Sequence, residues 1–250
     1  MNRLDCTLLE KMKILNWKIR VLFSIIALLL YGMCSRVRSN ELTVYSSTDD
    51  AYLRETDSDY NTARNDSCAD YHNTGISVHR FGQVYSDGLY YIPRSYLVFN
   101  TSSLGSEVII DSAKLYFYIE WLDTASHWDM TVVEGLWDSD PPEACDFKTE
   151  VWIGEQSGGS KNTTGISSGY DGITLNTTGL TWINKTGTTR LGLRSNKDIN
   201  GTAPDGSEQL QHRSADYGGT LYDPYLKIWY HTGAPPEQAN RLLIKRQKRK

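Results

Sequence analysis

Few residues of this 250-residue chain have the spacing of a reactive centre. The five histidines, at positions 72, 79, 127, 212 and 231, never recur at the three- or four-residue interval that puts two metal ligands on one helix face. No phosphate-binding G-x-x-x-x-G-K loop and no Cys-x-x-Cys pair occurs. One segment resembles a metal loop. Asn196-x-Asp198-x-Asn200-Gly201 follows the first six positions of a calcium loop, in which oxygens at alternate positions converge on the ion and glycine makes the turn. Its twelfth position is Ser207, with Glu208 one place late, and its flanks read as strands, so a hydrated Asn/Asp/Gly turn is the alternative. Asp49 and Asp50 offer a second pair of candidate calcium ligands.

The most abundant chemistry-bearing side chains are aromatic: the chain holds 16 Tyr and 7 Trp. Such rings stack on the apolar faces of sugars, with polar neighbours bonding the hydroxyls. From Ala113 to Trp121 the odd positions are Ala113, Leu115, Phe117, Ile119 and Trp121, the inward face of a strand of period two, which turns Tyr116 and Tyr118 outward. By the same alternation Leu226 and Ile228 point inward while Tyr225, Trp229 and His231 point outward. Tyr116, Tyr118, Tyr225 and Trp229 are therefore the candidate glycan-binding residues, the alternative being that loops or another subunit cover them. Trp137, Trp152 and Trp182 read as core or loop-anchoring residues.

These residues need strands to position them. Alternating runs also occur at 42–46, 76–81, 95–100, 130–136, 172–176, 189–195, 208–214 and 224–231. Asp87-Gly88, Asp171-Gly172, Asn200-Gly201 and Asp205-Gly206 supply turn signals. Apart from one turn at 177–184, no window carries a helical stripe. The expectation is an all-β fold: a single antiparallel β-sandwich of jelly-roll type over residues 41–232.

Within that body, RSYLVFNTSSLGSEVIIDSAKLYFYIE (94–120) resembles the core of the DNRLRE-domain family, which includes disaggregatase-related repeats and a carbohydrate-binding-module family. TVVEGLWDSD (131–140), LTWINKTGTTRLGLRS (180–195) and DPYLKIWY (223–230) are similar to its later elements, and STDDAYLRETDSDYNT (47–62) to its start. The resemblance implies a jelly-roll module on secreted or surface proteins that binds polysaccharide, and it transfers no functional residue.

Charge and cysteine usage bear on compartment and partner. Residues 1–40 carry seven basic and two acidic groups, residues 41–232 thirteen and twenty-seven, and residues 233–250 six and one. The uncharged run VLFSIIALLLYGMC (21–34) follows Lys13, Lys18 and Arg20, the layout of a signal peptide with Met12 a candidate start and Cys34 a candidate cleavage point; an uncleaved signal anchor is the alternative. Either reading exports the body to the cell surface or beyond. Sequons at Asn65, Asn100, Asn162, Asn176, Asn184 and Asn200 agree with export. Cys68 and Cys145, outside the leader, form either one disulfide or two free thiols. The tail RLLIKRQKRK follows Pro235-Pro236, and either binds an anionic lipid, glycan or nucleic acid by charge alone or is a solvated terminus. The acidic body repels nucleic acid and acidic polysaccharide, so a neutral glycan is the expected ligand, bound without catalysis. A structural cell-envelope or viral-fibre protein and a polysaccharide-acting enzyme are the other readings.

Overall fold

In the computed structural model the described residues are 39–148 and 153–232, so the leader, Trp152 and the basic tail lie outside them. The chain runs β1 (Asn40–Tyr45), β2 (Ala51–Asp57), α1 (Tyr60–Asn65), β3 (Tyr71–Asn73), β4 (Val78–Ser86), β5 (Leu89–Asn100), β6 (Val108–Thr124) and β7 (Asp129–Glu134). It continues through β8 (Gly159–Asn162), β9 (Gly169–Thr174), α2 (Thr177–Thr181), β10 (Thr188–Ser195), α3 (Asn196–Asn200), β11 (Ser207–Arg213) and β12 (Tyr225–Thr232). One curled antiparallel sheet has the order β1-β12-β6-β11-β4-β5-β10-β7-β8, with β9 also on β6, β2 also on β5 and β3 beside β2. This is the expected all-β sandwich of jelly-roll type.

Local chemistry explains the joins. Asp87 (φ 55°) and Gly88 (φ 81°) both adopt left-handed backbone, and the two-residue turn they form fixes the β4–β5 register at Ser86 opposite Leu89. Asp59 caps α1 by accepting the Thr62 N–H at 2.8 Å, and Asn176 caps α2 by accepting that of Gly179. Asp171-Gly172 is not a turn: both residues pair with β6 inside β9. Gly206 likewise keeps out of the left-handed region.

The core is mainly the enclosed face of this sheet, where Phe81, Leu97, Phe99, Leu115, Phe117, Ile119, Leu191, Leu210, Leu226 and Ile228 are buried together. A second cluster, with Leu53, Tyr60, Ile92, Tyr96, Trp137, Phe147 and Ile153, packs on the other face of β5. A disulfide joins Cys68 to Cys145 there, 77 residues apart.

The odd-inward reading of β6 holds from Ala113 to Ile119 and fails beyond it. Register shifts opposite Trp229/Tyr230 and Gln211/His212 each insert a residue into β6, so inward parity switches at both ends. Trp121, expected inside, is consequently 42% exposed, and Leu122 packs on the core instead.

Candidate functional site

The outer faces of β1, β12, β6 and β9 align tyrosines in rows. Tyr45 pairs with Tyr225, Tyr225 with Tyr116, and Tyr118 with Tyr170 across neighbouring strands. Cross-strand registry thus turns alternation along each strand into one continuous aromatic face. The Tyr116 and Tyr225 rings stack at 4.8 Å and 16°. Tyr45 and Tyr170 lie 5.8 Å and 5.4 Å from Tyr225, and Tyr118 lies 5.5 Å from Tyr170. The 214–224 loop extends the cluster, with Tyr222 at 4.6 Å from Tyr118 and Tyr217 at 5.4 Å from Tyr222. Gly172 lies opposite Tyr116, where a Cβ would come within 2.8 Å of its Cδ1, so only glycine admits the ring's position.

Between strand face and loop lies a cleft of about 600 Å³, lined by Thr43, Tyr45, Tyr170, Leu221, Tyr225 and Lys227 among others. The Tyr170 hydroxyl donates to the carbonyls of Leu221 and Asp223, both at 3.0 Å, which ties the loop to β9. Burial pushes this phenol up to about 12, with Tyr225 adding to the shift, so it remains a donor at neutral pH. Lys227 is the charged residue of the lining, and its ammonium lies 2.8 Å from Glu41. The same hydrogen bond to Lys227 is the main cause holding the Glu41 carboxyl below its ordinary value. The cleft is therefore aromatic, edged with hydroxyls and close to charge-neutral.

Of the four residues nominated from sequence, Tyr116, Tyr118 and Tyr225 share this cluster. Trp229 lies on the same face but beyond Lys227, with its Nε1 donating to Glu41 at 3.0 Å and the Lys227 ammonium 5.4 Å from its ring centroid. Sequence reasoning missed Tyr45 and Tyr170, although alternation in 42–46 carries the signal for Tyr45. Tyr217 and Tyr222 had no signal, because a loop has no period.

The Asn196/Asp198/Asn200 segment is not a calcium loop. It is α3, opened by Ser195, whose hydroxyl accepts the Lys197 N–H at 3.0 Å. Asp198 is fully buried and receives two N–H bonds from Arg94 (3.0 and 2.9 Å) and two from Arg194 (2.8 and 3.0 Å). Four guanidinium donors occupy the oxygens a cation would need, while the Asn196 side chain accepts the Asp129 N–H. Burial opposes ionisation of Asp198, but the two arginines outweigh it and hold the carboxyl well below its ordinary value. Gly201 closes the helix in left-handed conformation (φ 68°).

Two constellations resemble catalytic parts. Ser95 Oγ is 2.9 Å from His212 Nε2 and 3.5 Å from His79 Nδ1, yet all three residues are fully buried within the sheet. Burial also pushes His212 down to about 4, which keeps it neutral. Gly165-x-Ser167-x-Gly169 has nucleophile-elbow spacing, but exposed Ser167 sits in the β8–β9 loop rather than on a strand-to-helix turn.

All six sequon asparagines lie on the surface. In Asn100, Asn162 and Asn184 the side-chain oxygen accepts from both the N–H and the hydroxyl of the residue two places on, at 3.3 Å or less. Asn65 Nδ2 donates to the Asn61 carbonyl at 2.8 Å. No family model and no curated protein matches the chain.

Proposed function

We propose that this protein is an exported, non-catalytic module that binds a neutral glycan at the cell surface or after secretion. The observation that carries the reading is the tyrosine face with its hydroxyl-edged cleft. Sugar rings present apolar C–H faces to aromatic rings and hydroxyls to the surrounding donors and acceptors, and a near-neutral lining suits an uncharged ligand. The resemblance of residues 47–62, 94–120, 131–140, 180–195 and 223–230 to the DNRLRE-domain family, which includes carbohydrate-binding modules, supports the same class. A glycan array tests it: the wild-type chain should retain neutral oligosaccharides, and Tyr118→Ala should weaken the retained signal at least tenfold. Trp229→Ala should weaken only longer chains, since Trp229 lies beyond Lys227. Signals unchanged in both variants reject the reading.

One feature favours protein contact instead. Leu221, at the tip of the loop over the cleft, is 70% exposed. Sedimentation of the ligand-free protein separates the two readings, because a structural role through this face requires oligomers without glycan.

A further inference from the structure

Beyond their hairpin, β4 and β5 part. They pair with each other only from Val84 to Ser86 and from Leu89 to Tyr91; earlier residues of β4 pair with β11, and later residues of β5 with β2 and β10. Two clefts of about 250 Å³ and 200 Å³ open where the strands diverge, and both have Tyr52, Arg54 and Arg80 as walls. Tyr91 and Gln209 also line the first and Tyr71 the second, and no Asp or Glu lines either.

Both arginines lack a counter-charge, although acidic groups outnumber basic ones in residues 41–232. Among the described residues there are seven arginines, and five of them, Arg64, Arg94, Arg190, Arg194 and Arg213, lie within 4.0 Å of a carboxylate oxygen. Arg54 and Arg80 are the two that do not, and they share one cleft. Glu55, next to Arg54 in the chain, alternates to the other side of β2, where it accepts the Asp70 N–H at 2.6 Å.

The fold holds both guanidinium groups in place. That of Arg54 lies 5.1 Å from the Tyr71 ring centroid and 5.5 Å from that of Tyr91, so rings from the strands on either side of β2 flank it. Arg80 is anchored through its Nε, which donates to Gln211 Oε1 at 2.8 Å and leaves the two terminal nitrogens for a ligand. Burial raises the Tyr52 phenol above its ordinary value, against the pull of both arginine charges and a hydrogen bond from Arg54, so this oxygen stays neutral. What the cleft lacks is an anion, not a hydrogen-bond acceptor.

The interior of the protein shows how two arginines share a carboxylate. Arg94 and Arg194 each present the edge formed by Nε and Nη2 to Asp198. Arg80 cannot repeat that grip, because Gln211 occupies its Nε. Two guanidinium groups that arrive from different strands and offer different edges suit an anion whose oxygens point in several directions. Sulfate and phosphate have that shape, and a planar carboxylate does not.

We propose that Arg54 and Arg80 bind a tetrahedral oxyanion, the sulfate or phosphate group of a small ligand, with the Tyr52 and Tyr91 hydroxyls as further donors. The site shares no lining residue with the aromatic cleft, so it stands independently of the glycan-binding reading.

Equilibrium dialysis of the full chain against radiolabelled sulfate and radiolabelled phosphate, at an ionic strength fixed with sodium chloride, tests the proposal. Saturable retention of one anion per chain is expected, with acetate competing at least tenfold more weakly than unlabelled sulfate. Tighter sulfate or tighter phosphate each supports the site and identifies which ester it takes. Partly exposed Arg80→Gln should melt within a few degrees of the wild type and retain the anion at least tenfold more weakly. Arg54→Lys should weaken retention as well, since an ammonium keeps the charge and loses the planar fork. Arg190→Gln, which removes the same charge outside the cleft, should match the wild type. No saturable retention of either anion by the wild type, or equal retention by wild type and Arg80→Gln, overturns the site. Acetate competing as well as sulfate overturns the tetrahedral ligand.

Discussion

Removing the carboxylate of Asp198 would leave Arg94 and Arg194 facing each other in the interior, with Glu155 at 3.8 Å from Arg194 as the nearest remaining ion-pair partner. Both arginines are fully buried, and breaking a buried pair from one side costs about 3–5 kcal/mol. Asp198→Asn should therefore lower the denaturation midpoint by that equivalent, whereas Asn200→Asp on the exposed end of α3 should shift it by less than about 0.5 kcal/mol. The sequence made this residue look like a ligand because alternate oxygens are visible in a linear string and their partners are not. Arg94 lies 104 residues away and belongs to another strand. Arg194, four residues before Asp198, was near in the string, but it belongs to β10 and Asp198 to the helix after it, so no helical spacing signalled the pair.

His212 gives a pH signature. Its folded value is about 4 against an ordinary 6.5, so between these values the unfolded chain takes up a proton that the folded chain refuses. Its contribution is full above pH 6.5 and is lost on acidification toward pH 4, on the order of 3 kcal/mol. Asp223 has the opposite sign: raised to about 6, it contributes most below its unfolded value and loses that contribution as pH rises through about 6. Denaturation of wild type and His212→Asn at pH 7 and pH 4.5 isolates the histidine. The wild type should lose more stability than the variant over that interval; parallel losses would show that His212 is already neutralised by other means.

At the scale of elements, every alternating run in the sequence became a strand, because one buried face imposes period two. β2 escaped notice since Ala51, Tyr52 and Leu53 are all buried, and a strand covered on both faces shows no alternation. β8 (Gly-Ser-Lys-Asn) escaped because it is short and polar. The position of Trp121 was illegible for another reason: a bulge is a property of two strands in register and leaves no mark on one. Registry also explains the cleft, since three tyrosines from three strands meet only because Tyr45, Tyr225 and Tyr116 are cross-strand neighbours. Gly172 is the sensitive point of that arrangement. Gly172→Val should displace the Tyr116 ring and crowd the Leu115 carbonyl, each within 2.8 Å of an added Cβ, and reduce glycan affinity at least tenfold by titration calorimetry. Unchanged affinity would mean that Tyr116 takes no part in binding.

Considered whole, the molecule combines an acidic body with a surface whose concave part is nearly neutral. That contrast was only half visible in the charge count, which located the acidity in residues 41–232 without showing that Glu41, the carboxylate beside Trp229 on this face, is paired with Lys227. The Cys68–Cys145 disulfide pins the second core cluster across 77 residues, and its reduction should cost about 2–4 kcal/mol in denaturant unfolding without altering the tyrosine face. The most direct test of a neutral-glycan site is therefore a binding titration at the hub of the cluster. A neutral oligosaccharide retained by the wild-type chain should bind Tyr225→Ala at least tenfold more weakly while both proteins melt within a few degrees of each other. Equal affinity for wild type and Tyr225→Ala would contradict the account.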